Sequence, residues 1–291
     1  MRFLTYVIFF ISFVAYSQDS AYEKEIEAFR KTRIDSLKHE NGWLNLAGLY
    51  WLKEGENTIG SDPQNDFVFP VEHSDSFLGK VILEKGIVTF KSKEANQVFS
   101  SGHPVKEIIA FDDKKALIFA HKSLRWFIIK RGNQYALRLR DLAGEYVRNF
   151  KGINYFPINA SWRINAKFVP VHGKKLHVTD MTGRTYLEDS PGDLYFTIKG
   201  RKYRLEAGGT RDEFFIVFGD LTNKKTTYGG GRFLYANSPD KHGNVILDFN
   251  KSLNPPCVFT PFATCPLPTK KNKLSLEVEA GEQSIGFLND K

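Results

Sequence analysis

From Trp43 onward the chain is a succession of short apolar runs cut by turn residues, with no stretch that sustains a helical period. That constrains the fold more than any other feature, because helices repeat every 3.6 residues and strands every two. Lys80 to Phe90 holds two apolar runs split by Glu84-Lys85-Gly86, a hairpin turn. Asp112-Asp113 and Arg131-Gly132-Asn133 mark two more turns. Tyr135, Leu137 and Leu139 alternate with Ala136, Arg138 and Arg140, the period of a half-buried strand. In the second half, 165–171, 193–198, 202–205, 214–218, 232–235 and 245–249 are expected strands, with Gly200-Arg201 as a hairpin turn. Aromatic residues make up 14% of the chain and suit pleated surfaces. The fold class is therefore all-β. A sandwich is expected over 43–141 and a small barrel or barrel-like domain over 142–291, since a sheet needs cover or closure.

Before Trp43 the signals change. Arg2 followed by the apolar run Phe3 to Val14 has the form of a signal peptide, too short to span a bilayer as a helix. Ala15-Tyr16-Ser17 fits the small-x-small cleavage rule, so 1–17 is expected to be removed and the protein exported to a periplasmic or extracellular space. The segment 18–42 is expected to be one helix. Ser20 and Glu23 have capping-box spacing, Ile26, Phe29, Arg33 and Leu37 share a face, Glu27 and Lys31 form an i,i+4 pair, and Asn41-Gly42 is a stop.

The formal net charge is +8, but acidic residues interleave with the basic ones. No basic stripe with interleaved aromatics is present, so nucleic acid is not an expected partner. G-x-S-x-G, H-E-x-x-H and C-x-x-C are absent, and the seven histidines are dispersed. No cofactor or metal is expected. Gly229-Gly230-Gly231 lacks the following Lys-Ser/Thr of a phosphate loop.

The densest stretch runs from Phe218 to Pro268 and holds the glycine triplet, Arg232, Asp220, Asp248, a Pro-Pro step and both cysteines. Glycines let a backbone approach a ligand closely. Arg232 offers a fork of donors to a carboxylate, phosphate or sugar. Tyr228 supplies an amphipathic ring, and Asp248 and Asn250, two apart, share a strand face. Tyr228, Gly229, Gly230, Gly231, Arg232, Asp248 and Asn250 are therefore the candidate ligand-binding residues of one cleft. The alternative is that Arg232 and Asp248 simply pair while the glycines form a bulge. Cys257 and Cys265 are expected to form a disulfide that staples a Pro-rich loop, which the chain-entropy relation values at about 2.6 kcal/mol.

Two resemblances follow from these residues. Gly55 to Pro70 reads GENTIGSDPQNDFVFP and is similar to the opening of the forkhead-associated domain, I-G-R-x-x-x-N-D. That resemblance implies a β-sandwich. It does not extend to the phosphothreonine clamp, because Ser61 stands in the arginine's place and His73-Ser74-Asp75-Ser76-Phe77 replaces the family's serine-arginine-x-x-histidine run. The second resemblance is to an uncharacterised bacterial domain-of-unknown-function family, number 1684. It rests on Gly48-Leu49-Tyr50-Trp51-Leu52, Gly60-Ser61-Asp62-Pro63, Tyr228 to Leu234, Leu247-Asp248-Phe249-Asn250, Asn254-Pro255-Pro256-Cys257 and Cys265-Pro266-Leu267-Pro268. It implies the two-part β architecture and no reaction.

The leading expectation is an exported protein that binds a small polar molecule or envelope glycan in a C-terminal pocket. A hydrolase acting on a glycan or ester through Asp220 and Asp248, with His242, is the alternative. A scaffold whose sandwich docks a protein partner is a third.

Overall fold

A computed structural model of the protein describes residues 2–94, 97–112 and 115–285, with side chains from Ser20 onward. The chain is mostly β, and by compactness it forms two units: 37–150, and 1–36 together with 151–291. Helix α1 spans Arg2–Lys38. It does not begin at Ser20, because nothing between Phe3 and Gln18 breaks a helix and a capping pair inside a continuous helix has no free N–H groups to satisfy. Its expected inner face holds, with Ile26 and Leu37 fully buried. Glu27 pairs with Arg30 at 3.2 Å, one residue before the expected lysine.

Residues 37–150 form a sandwich. One sheet contains β1 (Leu46–Trp51), β6 (Phe99–Ser100), β7 (His103–Pro104), β9 (Phe119–His121), β10 (Leu124–Arg131) and β11 (Gln134–Asp141) in the order β1-β11-β10-β9-β6-β7. The other contains β2 (Gly55–Gly60), β3 (Phe67–Val68), β4 (Gly79–Glu84), β5 (Ile87–Ser92) and β8 (Glu107–Phe111) in the order β3-β2-β4-β5-β8. A short helix, α2 (Glu145–Asn149), follows. The hairpin expected around Glu84-Lys85-Gly86 joins β4 to β5, and Gly132-Asn133 joins β10 to β11. Asp113 lies outside the described residues. Between the sheets Trp126 is fully buried, stacked on Phe119 at 5.8 Å and edge-on to Phe69 at 5.7 Å.

β11 differs from expectation. Ala136, Leu137, Arg138 and Leu139 are all buried, so the face expected to be wet is covered. Arg140, on that face, donates to the Gly42 carbonyl at 2.6 Å, which brings the chain entering β1 across it. Burial pushes the Arg138 guanidinium down to about 10. Asn65 and Asp66 shape the β2–β3 turn, Asp66 accepting from the Thr58 N–H and hydroxyl at 2.9 Å each.

In the second unit six strands coil into a barrel-like sheet. They are β12 (Arg163–Pro170), β15 (Gly192–Ile198), β16 (Arg201–Gly209), β17 (Glu213–Phe218), β18 (Arg232–Asn237) and β19 (Asn244–Asp248), ordered β18-β17-β16-β15-β12-β19. All six expected strands are present. The seam nearly closes just past β19, where Phe233 of β18 and Leu253 exchange two backbone hydrogen bonds of 2.8 Å. One hairpin, β13 (Lys175–Thr179) with β14 (Thr185–Asp189), was not expected. Inward residues including Leu194, Leu205, Phe214, Phe218, Leu234, Leu247 and Phe249 fill the interior and are all fully buried. A final strap without helix or strand, 273–282, adds Leu274, Val278 and Ala280 to that core.

Candidate ligand site

The candidate residues divide among three sets of partners, all within the barrel unit. Arg232 enters β18 and turns inward, where it is 0% exposed. Its Nη2 donates to Asp220 Oδ2 at 2.8 Å and to the Val278 carbonyl at 2.8 Å; its Nη1 donates to the carbonyls of Ala280 and Glu282. The Phe218 ring covers it at 5.3 Å. The reason lies in the strap. An irregular segment buried in a core has carbonyls with no ladder to receive them, and one guanidinium serves three of these. Burial pushes the Arg232 pKa down and Asp220 opposes that shift.

Both Asp220 oxygens are engaged, while the buried Arg232 Nε has no partner among the described residues. Asp220 Oδ1 accepts from the N–H and hydroxyl of Thr222 and from the Val278 N–H. Asn223 accepts the Asp220 N–H at 2.8 Å and donates to Thr227 and to the Tyr228 carbonyl at 3.0 Å each. Thr222 and Thr227 share a hydroxyl contact of 2.7 Å. The loop from Gly219 to Gly231 is thus braced from inside.

Asp248 and Asn250 serve helix α1. Asp248 Oδ1 accepts the Tyr22 hydroxyl at 2.8 Å and the Asn250 N–H at 3.1 Å, capping the short 249–251 turn. Asn250 donates to the Tyr22 oxygen and to the Asn159 carbonyl, both at 2.9 Å. Tyr22, Asp248 and the buried Glu282, which accepts from Arg33 at 3.0 Å, fix the helix to the barrel. Arg232 therefore pairs with Asp220 and not with Asp248. Sequence separation could not reveal this, since the two acids end neighbouring segments of the same signature.

The outer side of the same loop opens on a hollow of about 550 Å³ lined by Tyr228, Gly229, Gly230, Thr227, Lys224 and Lys225, with Met181, Leu267 and Ser284. The glycines here make room for neighbours. A Cβ at Gly229 would lie 2.8 Å from the stem of Lys224, and one at Gly230 would lie 2.5 Å from the Tyr228 ring. Gly231 has φ +87° and a Cβ there would meet Pro268 at 2.5 Å and the Phe218 carbonyl at 2.6 Å. Tyr228 is half-buried, its hydroxyl 3.9 Å from Met181 Sδ, and burial raises its pKa. Cys257 and Cys265 form the expected disulfide, with Cα atoms 6.2 Å apart. The segment after it lines the hollow: the Cys265 carbonyl accepts the Met181 N–H at 2.9 Å, and the Leu267 N–H donates to Thr179 at 2.9 Å.

Residues 148–283 match the family model described as "Protein of unknown function (DUF1684)". The family expected from the sequence is thus the one found over that stretch. The DUF1684 match begins after the Gly48–Leu52 and Gly60–Pro63 motifs, and it takes in all of the hollow's lining except Ser284. No curated protein matches the chain. Among solved structures, an uncharacterized protein of Haloarcula marismortui determined by solution NMR is similar at 28% identity, over 47% of this chain and 78% of that one, with a TM-score of 0.39. An FHA domain from work on phosphothreonine-dependent FHA domain interactions is similar at 15% identity, over 32% of this chain and 92% of that one, with a TM-score of 0.23. The FhaA FHA domain, solved in complex with an intracellular domain, is similar at 14% identity, over 32% and 97%, with a TM-score of 0.23.

Within the DUF1684 stretch, sequence reasoning passed over Lys224, Met181 and Leu267. The signal that was available is the Lys-Lys pair three residues before Tyr228. Among the described residues no group of three or more His, Cys, Asp and Glu gathers as a metal site, and no helix is long and apolar enough to cross a membrane.

Proposed function

We propose that this is an exported, periplasmic or extracellular protein that binds a small polar ligand or a segment of envelope glycan in the hollow beside Tyr228. The observation that carries the reading is the 550 Å³ hollow itself, which combines an aromatic ring, the glycines that let that ring and the Lys224 stem pack closely against the loop, and a cationic rim. In this reading Tyr228, Gly229 and Gly230 touch the ligand. Gly231 and Arg232 hold the loop that presents them, and Asp248 and Asn250 hold the helix. The signal-peptide pattern and the disulfide support export, since such bonds persist in oxidising compartments.

The hydrolytic reading finds less support. Both Asp220 oxygens accept hydrogen bonds, from Arg232, Thr222 and Val278, and the side chain is 0% exposed, so that carboxylate is closed to a substrate. His242 lies on the exposed turn between β18 and β19.

The test is differential scanning fluorimetry of the full chain against neutral and acidic oligosaccharides, amino acids and soluble peptidoglycan fragments. At least one class is expected to raise the melting temperature, and Tyr228→Ala is expected to lose the rise while folding normally. A panel that leaves the wild type unmoved would remove the proposal.

A further inference from the structure

The charges around the hollow name the ligand's class, an inference that rests on the hollow being the binding site. Among the described residues its lining includes two ammonium groups and no carboxylate. The two lysines are not equivalent. Lys225 is paired with Glu277 at 2.8 Å, whereas among the described residues Lys224 has no acidic partner. Lys224 is also held in place. Its backbone is left-handed, at φ 65°, a conformation that side-chain-bearing residues adopt only where their surroundings impose it. What imposes it is the braced loop: the Lys224 N–H donates to the Thr227 carbonyl at 3.0 Å, and Asn223 ties Thr227 and Tyr228. The Lys224 stem then lies along the backbone of Gly229. A lysine whose backbone and stem are held in this way costs less ordering on binding than one on a free surface loop.

We propose that the hollow binds a carboxylate-bearing sugar, with the Lys224 ammonium against the carboxylate and the Tyr228 ring against the sugar's apolar face. Lysine is a compact point charge and makes no demand for two-pronged contact, so a single carboxylate satisfies it. The ring supplies an amphipathic surface that accepts the C–H side of a pyranose while its hydroxyls stay in water.

Isothermal titration of the full chain with trigalacturonate, and with a neutral galactose trisaccharide of the same length, separates the outcomes. Trigalacturonate is expected to bind and the neutral sugar to bind at least about tenfold more weakly, a difference of 1.4 kcal/mol. Affinity should fall as salt rises, as for any partly exposed ion pair. Lys224→Gln should weaken trigalacturonate binding about tenfold and leave the melting temperature unchanged, while Lys202→Gln, exposed on β16 and outside the hollow's lining, stays near wild type. Equal binding of both sugars, lost in Tyr228→Ala, would overturn the charge assignment and leave the hollow as the site. Trigalacturonate binding that survives both Lys224→Gln and Tyr228→Ala would overturn the hollow as well. Binding of neither sugar would overturn the sugar class.

Discussion

The loop from Gly219 to Gly231 has two faces of opposite character. On the inner face, Asp220, Thr222, Asn223 and Thr227 meet Arg232 in a network where the central ion pair is 0% exposed on both sides. On the outer face, Lys224 stands beside a half-buried tyrosine and has no acid to pair with among the described residues. Both faces carry charge next to glycines, so they look alike in sequence. They differ in what the charge lacks. A charge buried with its counter-charge and closed off from solvent is out of a ligand's reach, and its removal costs stability. An exposed, preset charge without a partner costs the fold nothing to lose and is available for recognition. The contrast predicts a series of substitutions whose stability effects shrink as one moves from the inner face outward.

The largest effect is expected at the centre. Arg232→Met leaves the Asp220 carboxylate buried beside the strap without its counter-charge and should cost about 3–5 kcal/mol in urea unfolding. Arg232→Met combined with Asp220→Leu should recover part of that loss, because a matched apolar pair carries no desolvation penalty. A single variant that loses under about 1 kcal/mol would break the comparison, since the inner face would then have bonding capacity to spare. Next comes the staple. Cys257→Ala with Cys265→Ala should cost about 2.6 kcal/mol by the loop-entropy relation. It should also weaken ligand binding, because Met181 and Leu267 take their places in the lining from that segment. Unchanged binding in the destabilised variant would detach the staple from the site.

How much of this was legible depended on how local the cause was. Strands β4, β5, β11 and the six of the barrel could be read because alternation and turn residues lie within a few positions of one another. The β13–β14 hairpin was not, because KLHVT and TYLED each hold only two apolar residues, Leu176 and Val178 in one and Tyr186 and Leu187 in the other. Arg232, Asp248 and Asn250 were legible as special residues, but their partners were not. Arg232 reaches carbonyls 46 to 50 positions away on a strap that has no periodic pattern, and Asp248 reaches Tyr22 across 226 positions. Charge type and spacing say that a residue will need a partner; only the packed fold says which one. Lys224 was missed for the converse reason. Lysine is common on surfaces, and nothing local distinguishes one that the backbone holds fixed.

The bracing shell between the two faces should give intermediate effects. Asn223→Ala removes three bonds from the loop and leaves the Asp220 N–H unmet, a loss of about 1–3 kcal/mol. Because it also frees Lys224 and Tyr228 from their set positions, it should weaken binding more than its stability cost explains. The effect should appear mainly as lost entropy of association in calorimetry, since the contacts themselves remain available.

The smallest stability effect, and the most telling, is expected at the rim. Lys224→Gln keeps the stem that lies along Gly229 and removes only the charge, so unfolding should change by no more than about 0.5 kcal/mol. Lys224→Gly releases the left-handed φ of 65° without strain and should be neutral or slightly stabilising in the folded state, although it adds backbone freedom to the unfolded chain. The pair of variants separates two things that Lys224 supplies, charge and shape. If binding of an acidic sugar falls in both, the ammonium is the recognition element. If it falls in the glycine variant alone, the stem's packing against Gly229 shapes the hollow and the charge is incidental. A loss of stability in Lys224→Gln comparable with that of Arg232→Met would mean that the outer face carries the fold as the inner one does, and the distinction between the two faces would collapse.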